Sequence, residues 1–156
     1  METLVTILPN LLVGVIVAIV TAYATVRLSI RQFRTEQWWS RKADAYISII
    51  EGLHHMKRLD ETYLQEYGRG RPMPKERESE LANKAQQGYQ LMRQAIDARG
   101  LLLCHEAITV LEALDADLDR ADKAEALYEH WEMSEDAISK CLTVLPGIAK
   151  KDLGVG

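Results

Sequence analysis

Glu51 and His54 stand in an E-x-x-H spacing, which on a helix turns both side chains to one face, as in carboxylate-bridged di-metal bundles. Such a site also needs a second E-x-x-H and two further glutamates, and no second E-x-x-H occurs, so a metal-dependent enzyme or sensor at Glu51 and His54 is the weaker reading. Cys104, His105 and Glu106 are consecutive. Helical neighbours point about 100° apart, so these three make no dyad by themselves. Cys104, after three leucines, reads as a small core residue or a helix start, and Cys141 as a core residue. His130 and Trp131 can stack or bind, but Trp131 falls on an apolar seam and belongs to the core. The acidic run from Asp115 to Asp122 has the charge of a calcium loop without its glycine and closing glutamate, and reads as a solvated face. Phosphate-binding glycine loops, a G-x-S-x-G elbow and zinc-type cysteine or histidine pairs are absent. The expectation is a protein with no catalytic residues, no metal and no cofactor.

The elements that carry these residues begin with an apolar run. Thr3 to Val26 contains no charged residue. As a helix it would extend about 36 Å, enough for a hydrocarbon core of roughly 30 Å. Pro9 is tolerated in a first turn. A cleaved signal peptide, for which Ala22 and Ala24 supply an A-x-A pattern, fits poorly, because only Met1 and Glu2 precede the run and the basic cluster follows it. The reading is a single transmembrane helix over residues 1–26, a cytosolic helical bundle over 27–151 and a C-terminal tail over 152–156.

Arg27, Arg31, Arg34, Arg41 and Lys42 follow the span closely and form a lipid-proximal basic stripe. By the positive-inside rule they place the N-terminus outside and the bundle on the cytoplasmic side of the inner membrane. Whether the stripe recognises anionic lipid or only sets topology stays open at this point. Gly14, Ala18 and Ala22 recur every four residues with Thr25 beside them, a small face on which a second membrane helix can pack.

Abundant Ala, Leu, Glu, Lys, Arg and Gln, with four prolines and one phenylalanine, favour an all-α fold. Trp39, Tyr46, Ile49, Ile50, Leu53, Met56, Tyr63 and Tyr67 follow helical steps, so Trp39 is expected to open the core. YGRGRPMPKE, residues 67–76, is the clearest loop. A second helix begins near Pro74 with its stripe on Leu81, Ala85, Gly88, Met92, Ala95 and Arg99, and ends near Gly100. Residues 101–118 form a third segment facing inward through Ala107, Ile108, Leu111, Leu114 and Leu118. Whether Gly100 breaks or bends the chain is open. A fourth helix carries Leu127, Trp131, Ser134, Ile138, Cys141, Leu145 and Ile148 in a coiled-coil-like seam, with a kink or end expected at Pro146 and Gly147. The expected architecture is an antiparallel bundle of about four helices, the first continuous with the anchor.

The stretches EQWWSRKADAYISIIEGLHHMKRL and AKKDLGV resemble segments of small uncharacterised bacterial proteins with one N-terminal membrane helix. The resemblance covers most of the chain and implies the architecture, not an activity.

The formal net charge of -4 is unevenly spread. Seven basic side chains face three acids over residues 27–58, whereas ten acids face Arg120 and Lys123 over residues 112–136. Asp115, Asp117, Asp119, Asp122 and Glu125 form an acidic surface that excludes nucleic acid as its partner. The function expected from these features is a non-enzymatic, membrane-anchored interaction or scaffold protein that binds a protein partner or itself. The alternative of the same class is an accessory subunit of a membrane complex.

Overall fold

In a computed structural model, residues 2–98 and 101–155 are described, the side chains of residues 2–20, 24, 28 and 30–35 excepted. The fold is all-helical, and the described residues contain no strand. Its helices are α1 (Glu2–Gly68), α2 (Lys75–Asp97), α3 (His105–Ala121) and α4 (Leu127–Leu153). The chain divides into two units, Met1–Ser40 and Arg41–Gly156.

The first unit is helical, and its described side chains are exposed. Among the described residues no helix is long and apolar enough to cross a membrane. The side chains of residues 3–20, those of Gly14 and Ala18 included, lie outside the described residues, as do those of Arg31 and Arg34.

The second unit holds the core. Each helix brings one apolar stripe: Tyr46, Ile49, Leu53 and Met56 from α1, and Ala85 and Met92 from α2. From α3 come Ala107, Ile108, Leu111 and Leu114, and from α4 Ile138, Cys141, Leu145, Ile148 and Ala149. These three- and four-residue steps are the ones the sequence predicts, because a helix with one face in water must repeat its apolar residues at that interval. Leu118 and Ala95 pack at the margin of the cluster. Arg99 and Gly100 lie outside the described residues; α2 ends at Asp97 and α3 begins at His105, so the two are separate helices.

Several expectations are corrected. Trp39 does not open the core: it is 48% exposed, and the buried stripe of α1 starts at Tyr46, where Asp152 and Cys104 meet the helix. Leu127 is likewise exposed at the first position of α4. Pro146 does not end α4, which continues to Leu153. A proline removes one backbone donor. Buried Leu145, Ile148 and Ala149 on both sides of it hold the following turns in place by packing. Asp152 and Leu153, assigned by sequence to a tail, are therefore helical and tied to the bundle. The helix closes at Gly154, whose φ of 69° suits a residue without Cβ, while the Val155 amide donates to the Lys150 carbonyl.

Helices α1 and α2 touch through their backbones. A Cβ built on Gly88 would lie 2.4 Å from the Gly52 carbonyl oxygen, and one on Gly52 would lie 2.7 Å from the Gly88 Cα. Only a pair of glycines permits this approach.

The N-terminus of α3 is closed by a residue of α4. Cys104 is its N-cap but makes no side-chain cap bond. Instead the Cys104 amide donates to Asp152 Oδ2 at 3.2 Å, Tyr46 donates its hydroxyl to the same oxygen at 2.6 Å, and Lys42 pairs with Asp152 Oδ1 at 2.7 Å. Burial alone would raise the Asp152 carboxyl, but the Lys42 and Tyr46 hydrogen bonds outweigh it and hold the group below its ordinary value. Burial and the Asp152 bond keep the Tyr46 phenol protonated at any physiological pH. An anion at a helix N-terminus also gains from the helix dipole. Asp152→Ala is expected to destabilise the bundle by about 2 kcal/mol in urea unfolding at neutral pH. Because the folded-state pKa is depressed, that difference is present above the ordinary carboxylate range and fades as pH falls below it. Equal urea midpoints for the two proteins at pH 7 would refute the clamp.

Candidate functional site

The four helices of the second unit leave a pocket of about 370 Å³ between them. Met56, Leu59 and Asp60 line it from α1, and Ala82, Ala85, Gln86 and Tyr89 from α2. Leu118 and Asp119 come from α3, Asp122 from the residue that caps it, and His130 and Ser134 from α4. The lining contains three carboxylates and no lysine or arginine.

Asp60 is the centre of this site. It lies on the same stripe as Leu53 and Met56, so the helical period that buries them buries it too. It is only 7% exposed, the one buried carboxylate among the described residues. Its single hydrogen bond comes from Ser134, whose hydroxyl donates to Oδ2 at 2.6 Å. Burial pushes its carboxyl up to about 6, against the opposing pull of the Ser134 bond and of nearby His130. His130 is turned elsewhere: Nδ1 lies 3.0 Å from the Ala121 carbonyl, which fixes a proton on that nitrogen, and 3.5 Å from Asp122 Oδ1. Tyr89, on the pocket wall, donates to Asp115.

Several partly buried carboxylates of the bundle have cations, while Glu78 accepts from the Tyr63 hydroxyl. Asp152 pairs with Lys42, Glu135 with Lys57 at 3.1 Å, and Asp115 with Arg93. Asp60 has no lysine or arginine partner among the described residues, His130 being the cationisable group near it.

A second cluster joins the far ends of α1 and α4. Tyr63 and Trp131 stack with ring centroids 4.7 Å apart, and Tyr67 meets both Trp131 and Tyr128. The Tyr63 hydroxyl donates to Glu78 at 2.9 Å, and burial, reinforced by that bond, pushes the phenol up to about 12. Trp131 thus belongs to the packing. Tyr63, Tyr67 and Trp131 line a pocket with Arg71, Pro72 and Met73 of the 69–74 loop.

The residues singled out by sequence scatter. Glu51 and His54 are both exposed, and among the described residues no group of three or more His, Cys, Asp or Glu is disposed to hold a metal ion. Cys104, His105 and Glu106 diverge as helical geometry requires, Glu106 pairing with Lys151 at 3.5 Å. Both cysteines are free, and burial pushes the Cys141 thiol up to about 11, which leaves it inert as a nucleophile. Ala22, Thr25 and Arg27 are exposed, the Thr25 hydroxyl donating to the Thr21 carbonyl at 2.8 Å. Within the basic stripe Arg41 is exposed, whereas Lys42 is committed to Asp152 and only 20% exposed. Of the acidic surface, Asp115 and Asp117 are paired with Arg93 and Arg120. Asp119, Asp122 and Glu125 remain exposed, the first two at the pocket.

Sequence reasoning missed Asp60. The signal was present: positions 53, 56, 60 and 63 alternate three- and four-residue steps, so a carboxylate at 60 interrupts an otherwise apolar stripe. No family model, no curated protein and no solved structure matches this chain.

Proposed function

We propose that this protein is a membrane-tethered helical interaction module, non-enzymatic, whose bundle stands on the cytoplasmic side of the inner membrane and presents an acidic face to a basic partner. The observation that carries the reading is the order of charge along the chain. An uncharged run of residues 3–26 is followed at once by Arg27, Arg31 and Arg34, and the acids collect far from it, in residues 112–136. Lipid is the solvent that tolerates such a run, and basic residues just after it resist translocation. The exposed carboxylates Asp119, Asp122 and Glu125 gather where α3 turns into α4, and a field of one sign there attracts a partner of the other.

Fractionation of cells expressing the full chain tests the tether. The protein should stay in the membrane pellet through an alkaline carbonate wash and leave it only with detergent. Protease added to intact spheroplasts should spare the bundle. Recovery in the supernatant of a detergent-free lysate, or digestion of the bundle from outside, would overturn the proposal.

A further inference from the structure

The geometry points to the Asp60 pocket as a binding site for a small aliphatic ammonium compound, an alkyl amine or diamine, whose cationic head meets the Asp60 carboxylate and whose hydrocarbon body lies on the apolar wall. This inference rests on the bundle alone and is independent of membrane attachment.

Three observations carry it. The first is an unanswered charge. Asp60 Oδ2 accepts from Ser134, whereas Oδ1 accepts from no described residue, and among the described residues no buried side-chain polar atom is both sealed from solvent and unbonded. Oδ1 therefore keeps some access to solvent, and Asp60 lines the pocket. A carboxylate removed from water without a cation is unfavourable to keep, and Lys or Arg stands beside Asp152, Glu135 and Asp115 but not beside Asp60. The place its counter-ion would fill is the pocket itself.

The second is the sign and shape of the lining. Asp119 and Asp122 add negative charge, and the one cationisable group, His130, is held by the Ala121 carbonyl and Asp122. An anionic ligand would be repelled. Met56, Leu59 and Leu118 supply a hydrocarbon surface, and a volume of about 370 Å³ lies in the range of small-ligand sites.

The third is chemical selectivity. A di- or trivalent metal ion needs several converging ligands, and the described residues hold no such group. An ammonium needs only one strong acceptor for its charge and tolerates carbon around the rest. With one carboxylate deep in the pocket and two more at its lining, a diamine can satisfy both of its ends.

Calorimetric titration of the detergent-purified full chain with 1,5-diaminopentane tests the site, against 1,5-pentanediol and against sodium chloride at equal ionic strength. Saturable binding of the diamine and none of the diol is expected, with Asp60→Asn weakening it at least tenfold. Circular dichroism of the variant reports that it is folded. Absence of saturable diamine binding up to about 10 mM would overturn the proposal, an affinity weaker than about -3 kcal/mol being no site at all. So would equal binding by a folded Asp60→Asn variant, or an effect that the diol or the salt reproduces.

Discussion

Replacing Gly88 with alanine should destabilise the bundle by about 2 kcal/mol, even though alanine favours a helix over glycine by roughly 1 kcal/mol. The added Cβ would sit 2.4 Å from the Gly52 carbonyl oxygen, a backbone atom that cannot rotate out of the way. Helices α1 and α2 must then separate, and the separation loosens neighbours buried on either side, Leu53 and Met56 on α1 and Ala85 and Met92 on α2. Overpacking of this kind outweighs the gain in propensity because a rigid helix pair transmits the shift along its whole contact. Gly147→Ala provides the matched control: it is also within a helix, is exposed, and its new Cβ meets nothing within 4 Å. It should stabilise by up to about 1 kcal/mol. Urea unfolding of the two variants beside the parent measures both effects, and a Gly88→Ala protein as stable as Gly147→Ala would contradict the close crossing.

The opposite sign is expected at Asp60. Burial raises its folded-state carboxyl from 3.8 to about 6, so the folded protein binds that proton more tightly than the unfolded chain does. Stability from this group is greatest where both states are protonated, below about 4, and falls as pH rises through the window to about 6. Above it the ionised carboxylate penalises the fold by a constant amount, on the order of 2–3 kcal/mol. Asp60→Asn keeps the shape and an oxygen for the Ser134 hydroxyl but carries no charge. The variant should be more stable than the parent by that order at pH 7, and the two should converge near pH 4. A variant less stable at pH 7 would mean that the carboxylate is matched by a positive charge after all. Retaining a group that weakens the fold is understandable where a ligand uses it, since a bound ammonium would supply the missing partner and lower the carboxyl again.

The helix stripes were legible in the sequence because burial of one face imposes a period on the residues themselves. Leu81, Ala85, Gly88 and Met92, or Ser134, Ile138, Cys141, Leu145 and Ile148, can be read without knowing what they face. Trp39 and Leu127 show the limit of that signal. They continue the period, yet a stripe is buried only as far as the neighbouring helices reach. The continuation of α4 past Pro146 has a related cause: the local cost of a proline is visible in the sequence, whereas the packing that keeps the helix going comes from other helices. The Gly52–Gly88 crossing and the Asp152 cap on α3 join residues far apart in the chain, and no local pattern announces them. Asp60 differs, since its interruption of the stripe was readable. Attention to motif spacing, directed at Glu51 and His54, passed over the neighbouring residue that has no motif and the greater burial.

Pocket, ligand and pH dependence share one physical state, a carboxylate buried among four helices with no lysine or arginine in the pocket lining beside it. Carbon NMR of the Asp60 carboxyl across pH, assigned by its loss in Asp60→Asn, observes that state directly. A midpoint near 6, shifting downward when 1,5-diaminopentane is added, is the predicted result. A midpoint at the ordinary 3.8, unmoved by the diamine, would contradict it.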